Sequence, residues 1–450
     1  MTRISLPRRL ASFALVALAL ALPARAQAPS DVKIDIRGTG QKIKLRLMPL
    51  EATGDRTSRA GATQADEVLG RDLEWSAVFD VQRASASVPA GWEPQARVAG
   101  RLEQHGNQVV LHGEVLDQPA GRAILKQEWR GPATELRRLV HEYADEIVRQ
   151  FTGEPGVANS RIAFISHKGN EKELWVMDAD GWYQRALTSD RSIAQSPAWS
   201  PEGSLLVFTS YRSGLGPRLF VTPSNGGKIY SVSGRPGLNT SGTYSPDGRE
   251  IACTLSQDGN AEIYRLDARG GTPTRLTNHR AIDTSPSWSP TGREIAFTSN
   301  RGGGMSVHVM DRDGGSVRRL TYELGNTDSP AWSPKGDRIA FVSRTGGGFD
   351  IYTCRPDGGD LRLEVAGRSN ENPHWSPDGR HLVFASNREG TFALFISHLD
   401  GSPARRLETG GMVAMSPAWS PRMTAGGSSS DGASRGDARK SAPQSDGGTR

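Results

Sequence analysis

One short text recurs along this chain. An aromatic residue followed by Ser-Pro stands at Trp199, Tyr244, Trp288, Trp332, Trp375 and Trp419, at intervals of 45, 44, 44, 43 and 44 residues. A fixed period of this size means that one supersecondary unit is repeated and that the core is built by stacking copies. Each of the first five landmarks is followed by a strand-like run, at residues 205–210, 251–256, 295–299, 339–343 and 382–386. A third run follows, as at 263–267 or 351–354, and a fourth, as at 273–277 or 317–321. The pairs Gly270-Gly271, Gly314-Gly315 and Gly358-Gly359 separate the last two runs, as hairpin turns require. Four antiparallel strands per unit make a propeller blade.

The Ser-Pro-x-Gly element after each aromatic is a turn. Proline in the second position presets φ at about −65°, serine can cap the first position, and glycine in the fourth eases the exit. It stands at residues 200–203, 245–248, 289–292, 333–336 and 376–379, while the sixth copy, Ser420-Pro421-Arg422-Met423, has no glycine and no second strand after it. Residues 161–166 begin a unit that lacks a first strand but has the second, third (174–178) and fourth (184–188). The two fragments complement each other. The strand around Trp419 is expected to pair with residues 161–166 and close a ring of six blades, which removes the exposed edges of an open sheet. Each recurring aromatic then reads as packing between neighbouring blades, where about 200 Å² of burial at about 25 cal/mol/Å² gives about 5 kcal/mol gross per ring.

Residues 27–152 do not repeat. Residues 31–37 and 42–50 alternate like strands, 62–76 suit a helix, and 97–104, 108–116 and 122–129 suit a meander. Leu136, Leu139, Val140, Tyr143, Ile147 and Phe151 mark one face of an amphipathic helix stopped by Gly153 and Pro155. The expected architecture is multi-domain: an N-terminal α+β domain (27–152), a linker (153–160), a six-bladed all-β propeller (161–421), and a tail (422–450) that is Gly, Ser, Asp and Arg rich and expected to be disordered.

Residues 1–26 read as a secretory signal peptide. Arg3, Arg8 and Arg9 precede an apolar run from Leu10 to Leu22, and Ala24-Arg25-Ala26 forms a small-x-small cleavage site, although Ala28 could also close one. The apolar run spans roughly 20 Å, too short for a bilayer core of about 30 Å. Cleavage would remove four Arg and no acid, so the formal charge falls from +6 to +2. A near-neutral exported chain without a basic block does not suit nucleic acid. Cys253 and Cys354 sit at different repeat positions, which argues against a disulfide between them.

Chemistry-bearing motifs are sparse. G-x-S-x-G does not occur, and His141-Glu142 begins H-E-x-x-H, but Asp145 stands where the second His would be. Both residues therefore read as the solvated face of the last helix of the N-terminal domain. Asp178-Ala179-Asp180-Gly181 and Asp311-Arg312-Asp313-Gly314 look faintly calcium-like but fall at hairpins and read as turns. The nine His show no metal spacing. No cofactor is expected.

What remains is surface. In a propeller, the loops that enter the innermost strands ring one mouth of the central channel, and loops on a rigid ring are where binding resides. Here they run over 192–196, 238–241, 279–285, 325–329, 368–372 and 411–416. Their candidate partner-binding residues are Ile193 and Gln195; Asn239 and Thr240; His279, Ala281, Ile282, Asp283 and Thr284; Asn326 and Asp328; Arg368, Ser369, Asn370, Glu371 and Asn372; and Met412 and Met415. Hairpins on the same face add Tyr211, Arg212, Asn300, Arg301, Arg344 and Arg388 as donors for a carboxylate-bearing partner.

Taken together, the exported leader, the α+β domain opening with Asp31-Val32-Lys33-Ile34-Asp35-Ile36 and the S-P-x-W-S-P-x-G repeats with I-A-F and G-G-x-x-x-R-L-T resemble the TolB family. Arg275-Leu276-Thr277-Asn278-His279, residues 281–285 and Gly367-Arg368-Ser369-Asn370 are particularly similar. The resemblance implies a periplasmic, non-enzymatic adaptor of the Tol-Pal envelope system, whose mouth binds the peptidoglycan-associated lipoprotein Pal. It also implies that an N-terminal segment, here Ser30, Asp31, Val32, Lys33, Ile34 and Asp35, docks on the body or on the inner-membrane protein TolA, in support of outer-membrane constriction at division. The chain departs from the family pattern at residues 44–50, where an apolar strand carries extra charge, and in its 29-residue tail. Two other classes stay open on the repeat alone: a propeller hydrolase or lyase, and a small-ligand-binding propeller.

Overall fold

The computed structural model describes residues 41–54, 56–168 and 171–423. The expected signal peptide, the segment 30–37 and residues 424–450 of the tail lie outside that set. In the N-terminal domain, Ile43–Leu47 alternates buried and half-buried residues and runs parallel to both Phe79–Arg83 and Ala96–His105. Ala96–His105, Gln108–Asp117 and Ala123–Pro132 form the expected antiparallel meander. Two strands escaped the sequence reading, Glu51–Gly54 and Phe79–Arg83. Each is short, and neither carries enough apolar alternation to stand out before its neighbours are in place.

Two helices cover one face of this sheet, α1 (Arg56–Trp75) and α2 (Leu136–Thr152). Helix α1 starts six residues earlier than the expected 62–76, since its first turns are polar and carry little periodicity. Helix α2 ends at Gly153, whose φ of 82° and N–H bond to the Arg149 carbonyl (2.8 Å) make a left-handed cap. Tyr143 stitches α2 to the sheet by donating to the Ala99 carbonyl (2.7 Å) and accepting from the Glu114 N–H (3.1 Å). The ring can come that close because residue 113 is glycine; a Cβ there would lie 2.4 Å from it.

Six four-stranded sheets follow, as expected, and form a six-bladed propeller. Blade 1 holds Val413–Trp419, Arg161–Lys168, Glu171–Asp178 and Arg185–Ala186, so the chain's last strand lies beside its first propeller strand. The register is antiparallel, with Met415 opposite Ile165 and Trp419 opposite Ile162. Blades 2 to 6 begin at Ala194–Trp199, Asn239–Tyr244, Asp283–Trp288, Thr327–Trp332 and Asn370–Trp375. The five Ser-Pro-x-Gly turns close as expected, each Gly N–H donating to the Ser carbonyl at 2.9 Å, with φ between 64° and 75° at the glycine.

The recurring aromatics are buried between blades. Trp199 Nε1 donates to the Ala418 carbonyl and Trp375 Nε1 to the Ala331 carbonyl, both at 2.9 Å and both across a blade boundary. Trp419 instead donates to Ser160 Oγ (2.8 Å), at the end of the linker just before Arg161–Lys168. That linker is pinned from both sides. Asp145 on α2 accepts from the N–H groups of Ala158 (2.7 Å) and Asn159 (3.0 Å), and Arg422 donates to the carbonyls of Pro155 and Gly156. Arg422 and Met423, assigned from the sequence to the tail, are thus part of the folded body, with Met423 N–H bonded to Asn159 O. Cys253 and Cys354 are both buried free thiols.

Candidate functional site

The mouth is built by one local device repeated six times. Every innermost strand bulges near its start, where Ser196, Ser241, Ser285, Ser329, Asn372 and Ser416 take φ between 48° and 55°. Small polar residues tolerate this left-handed backbone because their side chains bond locally. One residue earlier, Gln195, Thr240, Thr284, Asp328, Glu371 and Met415 are half-buried and form a mixed polar ring at the channel entrance. Thr240 bonds to Thr209 (3.2 Å) and Asp328 accepts from Thr298 (2.8 Å), so neighbouring blades are linked there. Burial pushes the Glu371 carboxyl above its ordinary value.

Four of the residues expected to meet a partner do not reach the surface. Asn239, Asp283 and Asn370 are fully enclosed, and Ala281 is buried. Asn239 accepts from Ser233 Oγ (2.7 Å) and the Arg235 N–H (2.9 Å), while Asn370 accepts from Ser386 Oγ and Arg388 (both 2.8 Å). Asp283 accepts from Arg301 (2.6 Å). They sit one residue before the half-buried ring, and strand alternation turns them into the blade. Their polarity fastens the loops.

Three of the expected donors are also occupied. Arg212 pairs with Asp190 (2.8 Å), Arg301 with Asp283, and Arg388 with Asn370, and each lies over a phenylalanine, Phe220, Phe297 and Phe384 respectively. Arg344 and Arg368 remain exposed on the mouth, with His279, Ile282 and Asn326. Ile193, Tyr211, Asn300, Ser369 and Met412 are half-buried in the same rim. Asn300 Oδ1 accepts the Ile282 N–H (2.8 Å) and Asn387 Oδ1 accepts the Ser369 N–H (3.0 Å). A hairpin asparagine therefore clasps the mouth loop of its own blade, a role that sequence spacing does not reveal.

A triad-like group occurs away from the mouth. Ser376 donates to Asp378 (2.5 Å), and His381 Nδ1 lies 3.3 Å from Asp378 and 3.4 Å from Ser376 Oγ. All three are buried, Ser376 and Asp378 in the Ser-Pro-x-Gly turn of blade 6 and His381 at the start of the strand after it, and His381 Nε2 faces the Trp75 carbonyl at 3.0 Å. A carbonyl only accepts, so Nε2 carries the proton and points away from the serine. The same turn in blade 3 bonds Ser245 to Asp247 (2.6 Å) without a histidine, which makes this turn chemistry rather than a nucleophile and its base.

A charged joint lies between the two domains. His141, expected on a wet face, is only 3% exposed, and its Nδ1 meets Asp72 Oδ2 of α1 at 2.6 Å. Arg137, one turn earlier on α2, pairs with Asp180 in the turn after Glu171–Asp178, and both side chains are almost fully enclosed. The Asp178–Gly181 stretch is a turn as expected, but the Asp180 carboxylate faces the N-terminal domain instead of water. The signal was present in α2: Ala144 and Val148 continue the 137/141 row at helical spacing and extend the apolar face around the helix. Asp72, His141 and Asp180 bring possible metal ligands within 4.8 Å of one another, yet the Arg137 guanidinium already supplies a cation at Asp180.

The fold and rim define a β-propeller with a structured mouth and an appended α+β domain. A family model described as the TolB beta propeller domain matches residues 148–423, and the chain belongs to this family. The Tol-Pal system protein TolB of Anaeromyxobacter dehalogenans (strain 2CP-C) is 36% identical over 285 residues, 59% of this chain and 64% of that protein. The Bordetella pertussis protein of the same description is 32% identical over 317 residues, covering 57% of this chain and 71% of its own. The crystal structure of TolB from Acinetobacter baumannii superimposes with a TM-score of 0.75 at 26% identity, over 85% of this chain and 97% of that one. Among the described residues, no helix is long and apolar enough to cross a membrane.

Proposed function

We propose that this chain is a periplasmic, non-enzymatic adaptor of the Tol-Pal system that binds Pal at the propeller mouth and TolA through residues 30–35, in support of outer-membrane integrity and constriction. The observation that carries this reading is the mouth itself: a rigid closed ring of six bulged loops, with Ile282, Arg344 and Arg368 exposed on a polar rim. Such a surface suits a protein partner, with apolar anchors inside a polar border. Relatives described as Tol-Pal system proteins support a place in that system, and the family resemblance implies Pal and TolA as the partners.

The adaptor works by coupled binding. When the N-terminal segment occupies a site on the body, affinity at the mouth shifts by the free energy that links the two sites. Titrating the soluble domain of Pal into the chain with and without residues 27–37 tests this. A several-fold change in affinity is expected; equal affinities remove the switch, and absence of binding in both forms removes the adaptor reading.

A further inference from the structure

The joint between the N-terminal domain and the propeller combines charge and hydrogen bonds with a small apolar cavity lined by Trp75, Ala144 and Val148 on one side and Ala179, Ile396 and Trp419 on the other. The apolar cluster of the N-terminal domain contains no propeller residue, and the clusters of the blades contain none from its helices or sheet. The polar contacts that cross the joint include Arg137 to Asp180 and over the Trp182 ring, Arg405 over the Trp75 ring, His141 toward Asp180, His381 to the Trp75 carbonyl, and the outer pair Lys42 to Asp400 (3.5 Å). An interface of this kind can open without exposing a large apolar surface.

We propose that the Asp72–His141–Asp180 cluster is a proton-dependent latch, in which protonated His141 holds the N-terminal domain in its docked orientation and loss of that proton releases it. The geometry is specific. His141 Nδ1 is engaged by Asp72 of its own domain, while Nε2 faces Asp180 of the propeller at 3.9 Å and has no hydrogen-bond partner among the described residues. With a proton on Nε2 the ring attracts that carboxylate. Without one it turns a lone pair toward it, and Arg137 alone must hold the turn.

The groups around His141 come from every neighbouring element. Helix α1 contributes Asp72 and Arg71, and α2 contributes Arg137 and Asp145. Blade 1 contributes Asp178, Asp180 and Arg161, and blade 6 contributes Arg405, His381 and His398. Burial opposes a charged imidazole, but Asp72 and then Asp180 outweigh it and push His141 up to about 9 from its ordinary 6.5. Asp72 stays beside His141 when the joint opens, whereas Asp180 and Asp178 leave, so the attraction that docking adds for this proton is the propeller's. That attraction is lost as pH rises through about 9.

Asp145, pushed up to about 7 by burial against the pull of the Asn159 and Ala158 amides, acts in the same direction. Two groups run the other way. Burial and the neighbouring His381 hold His398 down to about 4, so its effect falls below pH 6.5, and burial and Arg71 push Arg405 to about 9, so its effect falls above that value.

The test is a distance measurement by electron spin resonance between labels at Glu67→Cys on α1 and Arg269→Cys on blade 3, both exposed positions; Cys253 and Cys354 are buried and stay unlabelled. The wild-type background should give one narrow distance from pH 6 to 7.5 and a second, broader population that grows toward pH 10. His141→Gln should show the second population already at pH 7 and lose the pH dependence, while near-ultraviolet dichroism reports an intact propeller. A wild-type distance unchanged at pH 10, or a Gln variant indistinguishable from wild type at pH 7, overturns the latch. No partner protein takes part, so the outcome is independent of the Pal and TolA reading.

Discussion

Ending the chain at Gly410 should yield a protein that aggregates and has no cooperative melt, whereas a chain ending at Met423 should melt like the full-length protein. The shorter chain loses Val413–Trp419, the strand that pairs with Arg161–Lys168 from Ile162 to His167. Blade 1 is then left with an open inner edge of unpaired N–H and C=O groups, a template for pairing with other chains. The damage spreads to both neighbours: Trp199 loses its acceptor at Ala418, and the linker loses the bonds from Arg422. Even Trp419→Ala alone should cost about 3–5 kcal/mol, as expected for removing a buried large aromatic. Calorimetry and size-exclusion chromatography read both effects. A monomeric Gly410 chain with a normal melting endotherm would mean that closure contributes little.

Arg137→Ala should be the most damaging single change at the joint, costing about 3–5 kcal/mol. The substitution leaves the Asp180 carboxylate enclosed without its cation, with only His141 Nε2 at 3.9 Å to offset it. It also removes the guanidinium stacked on Trp182, 4.6 Å from the ring centre. The double change Arg137→Met with Asp180→Leu should recover much of the loss, because an enclosed ion pair replaced by apolar groups of similar volume is often near neutral. Thermal unfolding of the three variants decides. If Arg137→Ala melts within a degree of wild type, the joint is not held by this pair.

How much of this was written in the sequence depends on distance along the chain. The propeller was legible because its evidence is local and repeated: a turn signal, an aromatic and a short apolar run at a period near 44, with two incomplete ends that complete each other. The mouth loops followed from that topology. Which of their side chains face outward did not follow, since Asn239, Asp283 and Asn370 look like polar rim residues until strand alternation turns them into the blade. The joint was less legible still. His141 lies on the flank of an amphipathic helix, and a flank is buried or wet according to what packs against it, here a turn 39 residues further along the chain. Asp180 reads as an ordinary turn residue for the same reason.

The most direct test of the central claim, that the closed ring presents its mouth to a protein partner, is amide hydrogen exchange with and without the soluble domain of Pal. The expected footprint is added protection in the loops around Ile193, Ile282, Asn326, Ser369 and Met412, with the edge strands Arg275, Arg319 and Arg406 at the outer rim unchanged. Protection confined to those outer strands, or none at a saturating concentration of Pal, would contradict the account.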